Sequence, residues 1–235
     1  MKTEAMWCGS RRAVCTFALV LCCVLLGGVA CDQKPTGTAE SGADEIDKSR
    51  IKRGVKPEAD AEVAVLETEY GRIVIELYPN IAPKMVERYK QLVREGFYNN
   101  TTFHRIDTKQ YGIIQGGDPL SKDNDPANDG SGDSPYPNVP AELSDIPFDA
   151  GVVGAARGRD VDTANSQFYI QVKPFPGFNE QYTVFGRVIQ GLDNARVIMT
   201  APIEEGREDR PAAPVRITRA TLASRAEFAK SGAVK

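Results

Sequence analysis

Beyond residue 31 the chain contains no cysteine. All five, Cys8, Cys15, Cys22, Cys23 and Cys31, stand in the first 31 of its 235 residues, so the remainder can build neither a disulfide framework nor thiol chemistry. Histidine is almost as scarce. His104 is the only one, and without a second imidazole or a thiolate beside it, a packed, hydrogen-bonded ring is the better reading than a metal ligand or general base. The single tryptophan, Trp7, also lies in the amino-terminal run. Basic excess is missing too: the formal net charge is −3, and residues 1–30 carry Lys2, Arg11 and Arg12 against Glu4, which leaves −5 for the rest. Such a chain, with no basic stripe, is not built to hold nucleic acid. No G-x-x-x-x-G-K loop is present to cradle a phosphate, and no repeat recurs at solenoid or propeller spacing. The acid-rich stretch around Asp123, Asp125, Asp129 and Asp133 fails the twelve-residue calcium-loop spacing and reads as a solvated loop. No metal and no cofactor is implied.

What is present falls into four parts. Residues 1–30 open with Lys2, Arg11 and Arg12, continue through the apolar run AVCTFALVLCCVLLGGVA and end in small residues, the layout of an export signal. As a permanent span, the run from Ala13 to Ala30 is just long enough to qualify. Cys31 shifts the balance. In LLGGVAC it stands where a bacterial lipoprotein signal keeps its lipid-carrying cysteine, although Gly28 and Val29 are not the residues most usual there. A lipid on Cys31 implies an extracytoplasmic protein attached to a membrane, held by acyl methylenes at about 0.8 kcal/mol each. Residues 31–61 turn to Lys, Pro, Gly, Thr, Ser, Asp and Glu, which cannot bury enough surface to offset ordering, and they read as a flexible tether. Residues 62–222 carry the apolar patterning of one folded domain, and 223–235 read as a tail.

Within the domain, EVAVLETEYGRIVIELY alternates apolar and polar residues about Tyr70-Gly71, which predicts a hairpin. IAPKMVERYKQLVREG puts Pro83 in a first helical turn and Met85, Val86, Tyr89, Leu92 and Val93 on one stripe before Gly96. Short β-rich segments follow at TTFHRI, GIIQGG, GVVGAA, SQFYIQV and TVFGRVI, then a brief helix at LDNARVIM and a last strand at APVRITRATLA. This count predicts a mainly β fold: a closed eight-stranded antiparallel barrel capped by two α-helices.

In order, the hairpin, helix, FHR, QGGD, AAR, NSQFYI, YTVFGRV, helix and strand resemble the cyclophilins, barrel-shaped peptidyl-prolyl cis-trans isomerases. The resemblance spans about Glu62 to Leu222, and its motifs are specific in combination and weak singly. It implies that Arg105 is the catalytic donor to the prolyl nitrogen and that Gln115 holds the substrate backbone. Phe103 and His104 would be mainly structural. The second wall would be Ala156 and Arg157, whose backbone pairs with an extended peptide, with Gln167, Tyr169 and Tyr182. Tyr169 replaces the family's usual pocket phenylalanine. Three departures stand out. The run IDTKQYGII between Arg105 and Gln115 is longer than usual and sets Gly112 where the family has a pocket phenylalanine, so Tyr111 is expected to swing in, with Ile113 for the usual methionine. Gly177 stands where a large residue is common, leaving Phe178 as the rim contact. The acidic loop is extra. The implied partners are proline-containing segments of exported or unfolded chains, and a monomer is expected. The alternative is a weakly active or inactive binding or chaperone module on the same barrel.

Overall fold

A computed structural model of the chain describes residues 46–230, apart from residue 124. The export run, Cys31, residues 31–45 and the last five residues lie outside the described part.

Strands β1 (Glu62–Thr68) and β2 (Gly71–Leu77) form the expected hairpin. Thr68 pairs with Gly71 across the turn, where Gly71 takes φ +106°, a value open to glycine and strained for most other residues. Helix α1 (Pro83–Arg94) buries Met85, Val86, Tyr89, Leu92 and Val93, the whole predicted stripe. Its first turn lacks a side-chain cap of its own. Glu142, from a distant loop, accepts from the Lys84 and Met85 amides at 3.2 and 3.0 Å and supplies one.

The remaining strands are β3 (Arg105–Asp107), β4 (Ile113–Gly116), β5 (Val152–Ala155), β6 (Phe168–Gln171), β7 (Val184–Gln190) and β8 (Ile217–Ser224), with α2 (Leu192–Ile198) before the last. All eight join one antiparallel sheet in the order β3-β4-β6-β5-β7-β2-β1-β8. The barrel is not closed. Among the described residues no ladder joins β3 to β8, so the sheet is a curled half-barrel with a seam, not the closed barrel expected from the strand count. The seam is stitched beside β3 instead: Asn100 and Phe103 donate to the Ile217 and Val215 carbonyls at 2.8 Å each. The outer edge of β3 is already occupied, because the Ile106 amide donates to the Asp209 carbonyl at 2.6 Å.

Inside the curl, Tyr89, Tyr98, Phe103, Phe168 and Phe185 are fully buried and meet edge to face or tilted, with centroids of neighbouring rings 5.1 to 6.3 Å apart. Each such ring contributes about 1.5–3 kcal/mol on burial. Two terminal expectations need correction. A third helix, α3 (Arg225–Lys230), follows β8 directly and lays Phe228 against Val63, Val65 and Val74 on the outside of the hairpin. Residues 47–60, read as tether, pack on the domain. Ile51 is buried, the Lys52 amide donates to Leu143 O and its carbonyl accepts from the Asp145 amide, and Arg50 pairs with Asp162 at 2.6 Å. Composition misses this strap because its contacts are mostly polar.

Candidate active site

The β3–β4 hairpin sets the site's first wall by its register, with Arg105 opposite Gln115. The turn between them is built by Asp107. One of its carboxylate oxygens accepts from the Lys109, Gln110 and Tyr111 amides at 3.2, 2.8 and 3.1 Å. Gly112 follows at φ +68°, and a Cβ there would stand 2.7 Å from the Lys173 Cβ. No phenylalanine fits that position. Tyr111 turns in instead, stacking on Phe178 at 5.1 Å and 29°, with the Arg105 guanidinium 5.4 Å from its ring centroid.

Below this lies a second apolar cluster, apart from the main core. Ile113 and Tyr169 are each 2% exposed and Phe178 is 8% exposed, while Tyr111, Ala156 and Tyr182 are half-buried against them. Phe178 is therefore the centre of the cluster, not a rim contact: its ring meets Tyr111, Phe148, Tyr169, Phe175 and Tyr182 at centroid distances of 4.7 to 5.8 Å. One of these partners, Phe148, carried no sequence signal, being a single ring in a loop. Phe175 fills the space over Gly177, where a Cβ would meet its ring at 2.6 Å. Tyr169 lies across from Gly154, whose bare α-carbon leaves room for the phenol; a Cβ would sit 2.5 Å from the ring. Burial, and then the nearby Tyr182, push the Tyr169 hydroxyl well above the ordinary phenol range.

The polar line above the rings has a fixed direction. Gln167 donates its amide nitrogen to the Gly130 and Gly132 carbonyls at 3.1 and 2.9 Å, so its oxygen faces Gln115, which donates to it at 3.0 Å. The Gln115 oxygen is then turned toward Arg105, whose Nη1 lies 3.4 Å away. Arg105 also donates from Nε to Asp209 at 2.7 Å and from Nη2 to Asp107 at 3.4 Å, with a third of its side chain exposed. A guanidinium has five N–H donors. Three are engaged here, which leaves two. Arg157 lies with its guanidinium 4.7 Å from the Tyr182 ring centroid and donates to the Gly158, Arg159 and Gln181 carbonyls. A cavity of about 360 Å³ opens between Gln115, Ala156, Arg157 and Gln167. Thus Gln115, Gln167, Ala156 and Arg157 line one groove; Arg105 stands beside it, 3.4 Å from Gln115, and Tyr111, Ile113, Tyr169, Phe178 and Tyr182 form the aromatic cluster of this wall.

His104 points elsewhere. It is buried next to a separate cavity of about 320 Å³ that contains neither Arg105 nor Gln115. Burial lowers its pKa from 6.5 to about 4, against the opposing pull of Asp118, so the ring is neutral near pH 7. The hydrogen bond expected of it is not well formed: neither ring nitrogen has a partner of good geometry among the described residues. Asp118, fully buried, ties the acidic loop back by accepting from the Leu120 amide at 2.8 Å and from the Gly130 amide. Sequence reading missed that role.

Three comparisons bear on this groove. Residues 63–222 match the family described as cyclophilin type peptidyl-prolyl cis-trans isomerase/CLD. A Brucella suis protein named as a probable peptidyl-prolyl cis-trans isomerase is 44% identical over 139 residues, covering 57% of this chain and 70% of that protein. A human protein, peptidyl-prolyl cis-trans isomerase-like 1, is 37% identical over 157 residues, 66% of this chain and 89% of the relative. Among solved structures, a Cryptosporidium parvum cyclophilin type isomerase crystallised in the presence of the dipeptide Ala-Pro aligns with a TM-score of 0.60 at 27% identity, over 69% of this chain and 99% of that one.

Proposed function

The chain belongs to the cyclophilin-type peptidyl-prolyl cis-trans isomerase family and is an enzyme of that kind; from this premise we propose that Arg105 drives the reaction by donating a hydrogen bond to the prolyl nitrogen of proline-containing segments in exported or unfolded chains. An X-Pro bond crosses between isomers in tens to hundreds of seconds because amide resonance raises a barrier of roughly 20 kcal/mol. As the bond twists, resonance is lost and a lone pair localises on nitrogen. A donor aimed at that lone pair stabilises the twisted state and does little for the planar one, which is the condition for raising kcat. Reaching milliseconds takes about five orders of magnitude, or roughly 7 kcal/mol. A charge-assisted hydrogen bond plus a fixed, partly desolvated substrate backbone is of the right size. Gln115 holds the substrate backbone from the neighbouring strand, and Ala156 and Arg157 pair with it through their own main chain. Tyr111 and Tyr182 flank the proline ring, with Ile113, Tyr169, Gln167 and Phe178 supporting them.

The observation that carries this reading is the Arg105 guanidinium, held at three of its five donors beside Gln115 at the groove's edge, with a third of its side chain exposed. Arg105→Ala should lower turnover of a proline tetrapeptide by orders of magnitude with little change in thermal midpoint. Arg105→Lys should be nearly as poor, since an ammonium lacks the planar fork. Near-full turnover in either variant contradicts the mechanism. The dense packing of Tyr169 and Phe178 favours a shallow proline slot, and with it a second reading: a slow enzyme acting mainly as a binding module. A low kcat with tight peptide binding in the same assay would select it.

The same proposal places the protein outside the cytoplasm, attached to a membrane by a lipid on Cys31. Its support is the charged start, apolar run and small-residue end before that cysteine. Cys31→Ala should then leave a longer, unlipidated species. An amino terminus without acyl mass in the native protein, read by mass spectrometry, sinks the anchor and leaves the catalytic reading untouched.

A further inference from the structure

We infer that Asp209 is a positioning residue for isomerisation, acting through Arg105; the inference rests on Arg105 being the donor to the prolyl nitrogen. The segment between α2 and β8 is folded back on itself. The Ala212 amide donates to Pro202 O at 2.8 Å, Glu204 to Arg210 O at 2.9 Å and Arg207 to Glu204 O at 3.0 Å, while Ile203 and Pro211 form an isolated bridge. Asp209 is thereby held against the free edge of β3. It grips two successive residues of that strand, through its carbonyl with the Ile106 amide at 2.6 Å and through its carboxylate with Arg105 Nε at 2.7 Å, across 104 residues of sequence.

Which nitrogen is held matters. Nε sits where the planar guanidinium joins the flexible stem, so anchoring it sets the plane of the whole group and with it the directions of both Nη nitrogens. The other contacts do this less well. Asp107 lies 3.4 Å from Nη2 and commits its other oxygen to the backbone of the turn. Gln115 lies 3.4 Å from Nη1. Asp209 is the short contact of the three. Arg105 is the only site residue it touches among the contacts found, so its role is orientation. An ordinary surface ion pair would contribute little to any property. Here the pair is supported by a backbone bond to the adjacent residue, and one partner is the proposed donor.

The test compares kcat and KM for a proline tetrapeptide in the full chain carrying Asp209→Ala or Asp209→Asn, each alone and with Arg105→Ala. Misplacement of a reacting group by about 1 Å costs on the order of 100-fold, so Asp209→Ala should lower kcat by roughly 10- to 100-fold with KM little changed. Asparagine keeps an oxygen for the Nε hydrogen and should restore most of the loss. In the Arg105→Ala background, Asp209→Ala should add nothing. The Arg105 Nε–H nuclear magnetic resonance signal, slow to exchange in the parent, should fade into solvent exchange in Asp209→Ala. Full kcat in Asp209→Ala overturns the inference, as does an equal loss with and without Arg105, or failure of asparagine to rescue. Those results leave Arg105 standing. Full activity of Arg105→Ala would instead remove the reading of the arginine, and this inference with it.

Discussion

At the scale of the residue, His104 separates packing from catalysis. It is the only histidine in the chain, it neighbours the proposed donor, and it lies outside the groove. Its pKa of about 4 in the folded protein is set first by burial, and an unfolded histidine titrates near 6.5. The unfolded chain therefore binds a proton between those values that the folded chain refuses. The stability held by the neutral ring is complete above pH 6.5 and is lost as pH falls toward 4, by about 3 kcal/mol in total. His104→Gln should flatten that part of the stability profile relative to the parent while leaving the carboxylate part below it. Parallel profiles from denaturant titrations at pH 4 to 7 would mean that the imidazole is not desolvated. Such a ring was legible in the sequence as structural, but the poor geometry of its hydrogen bonding among the described residues was not, because no local pattern records what a buried nitrogen faces. Tyr111 is the converse case. Gly112 beside it was visible, and its positive φ and its fit against Lys173 are the physical reason the aromatic ring moved by one position.

At the scale of the element, what could be read was what repeats locally. The stripe of α1 follows the helical period and survives residue for residue; the hairpin forms where the period of two put it, but Val63, Val65 and Val74 on its outer face are buried as well. Arg105, Gln115 and Gln167 were singled out by their motifs, and the register of β3 on β4 and β4 on β6 sets them side by side. What escaped depends on contacts between distant segments. Strand number alone suggested closure, yet the edge of β3 is taken by the segment carrying Asp209, and a sheet with a capped edge has no need of another strand there. Glu142 capping α1 from 57 residues away and Phe148 entering the aromatic cluster are of the same kind. Each is a single residue in a loop, with no periodicity to announce it.

At the scale of the whole molecule, the segment before β1 is part of the working domain. The strap of residues 47–58 crosses three loops: Arg50 holds Asp162 at 2.6 Å, Gly54 donates to Asp145 at 2.7 Å, and Arg53 holds both oxygens of Glu180 at 2.6 and 3.1 Å. Glu180 has φ +59°, a costly backbone for a residue with a side chain, and it sits between Phe178 and Tyr182 in the loop that forms the aromatic cluster. Arg53 thus steadies a strained turn beside the groove. Exposed ion pairs contribute at most about 1 kcal/mol each, and burying Ile51 adds about 1.5–3 kcal/mol. A chain beginning at residue 61 should therefore lose roughly 3 kcal/mol against one beginning at residue 46, or about 6–12 °C in thermal midpoint. Its kinetic defect should fall on KM, because loosening the Glu180 loop disturbs the pocket wall while the Arg105, Gln115 and Asp209 contacts remain. Arg53→Ala should reproduce the KM effect with little of the stability loss, since Ile51 and the Lys52 backbone pairing stay in place. Equal midpoints and equal KM for the two truncations would show that the strap is a passenger, and that the folded unit begins at β1 as its composition suggested.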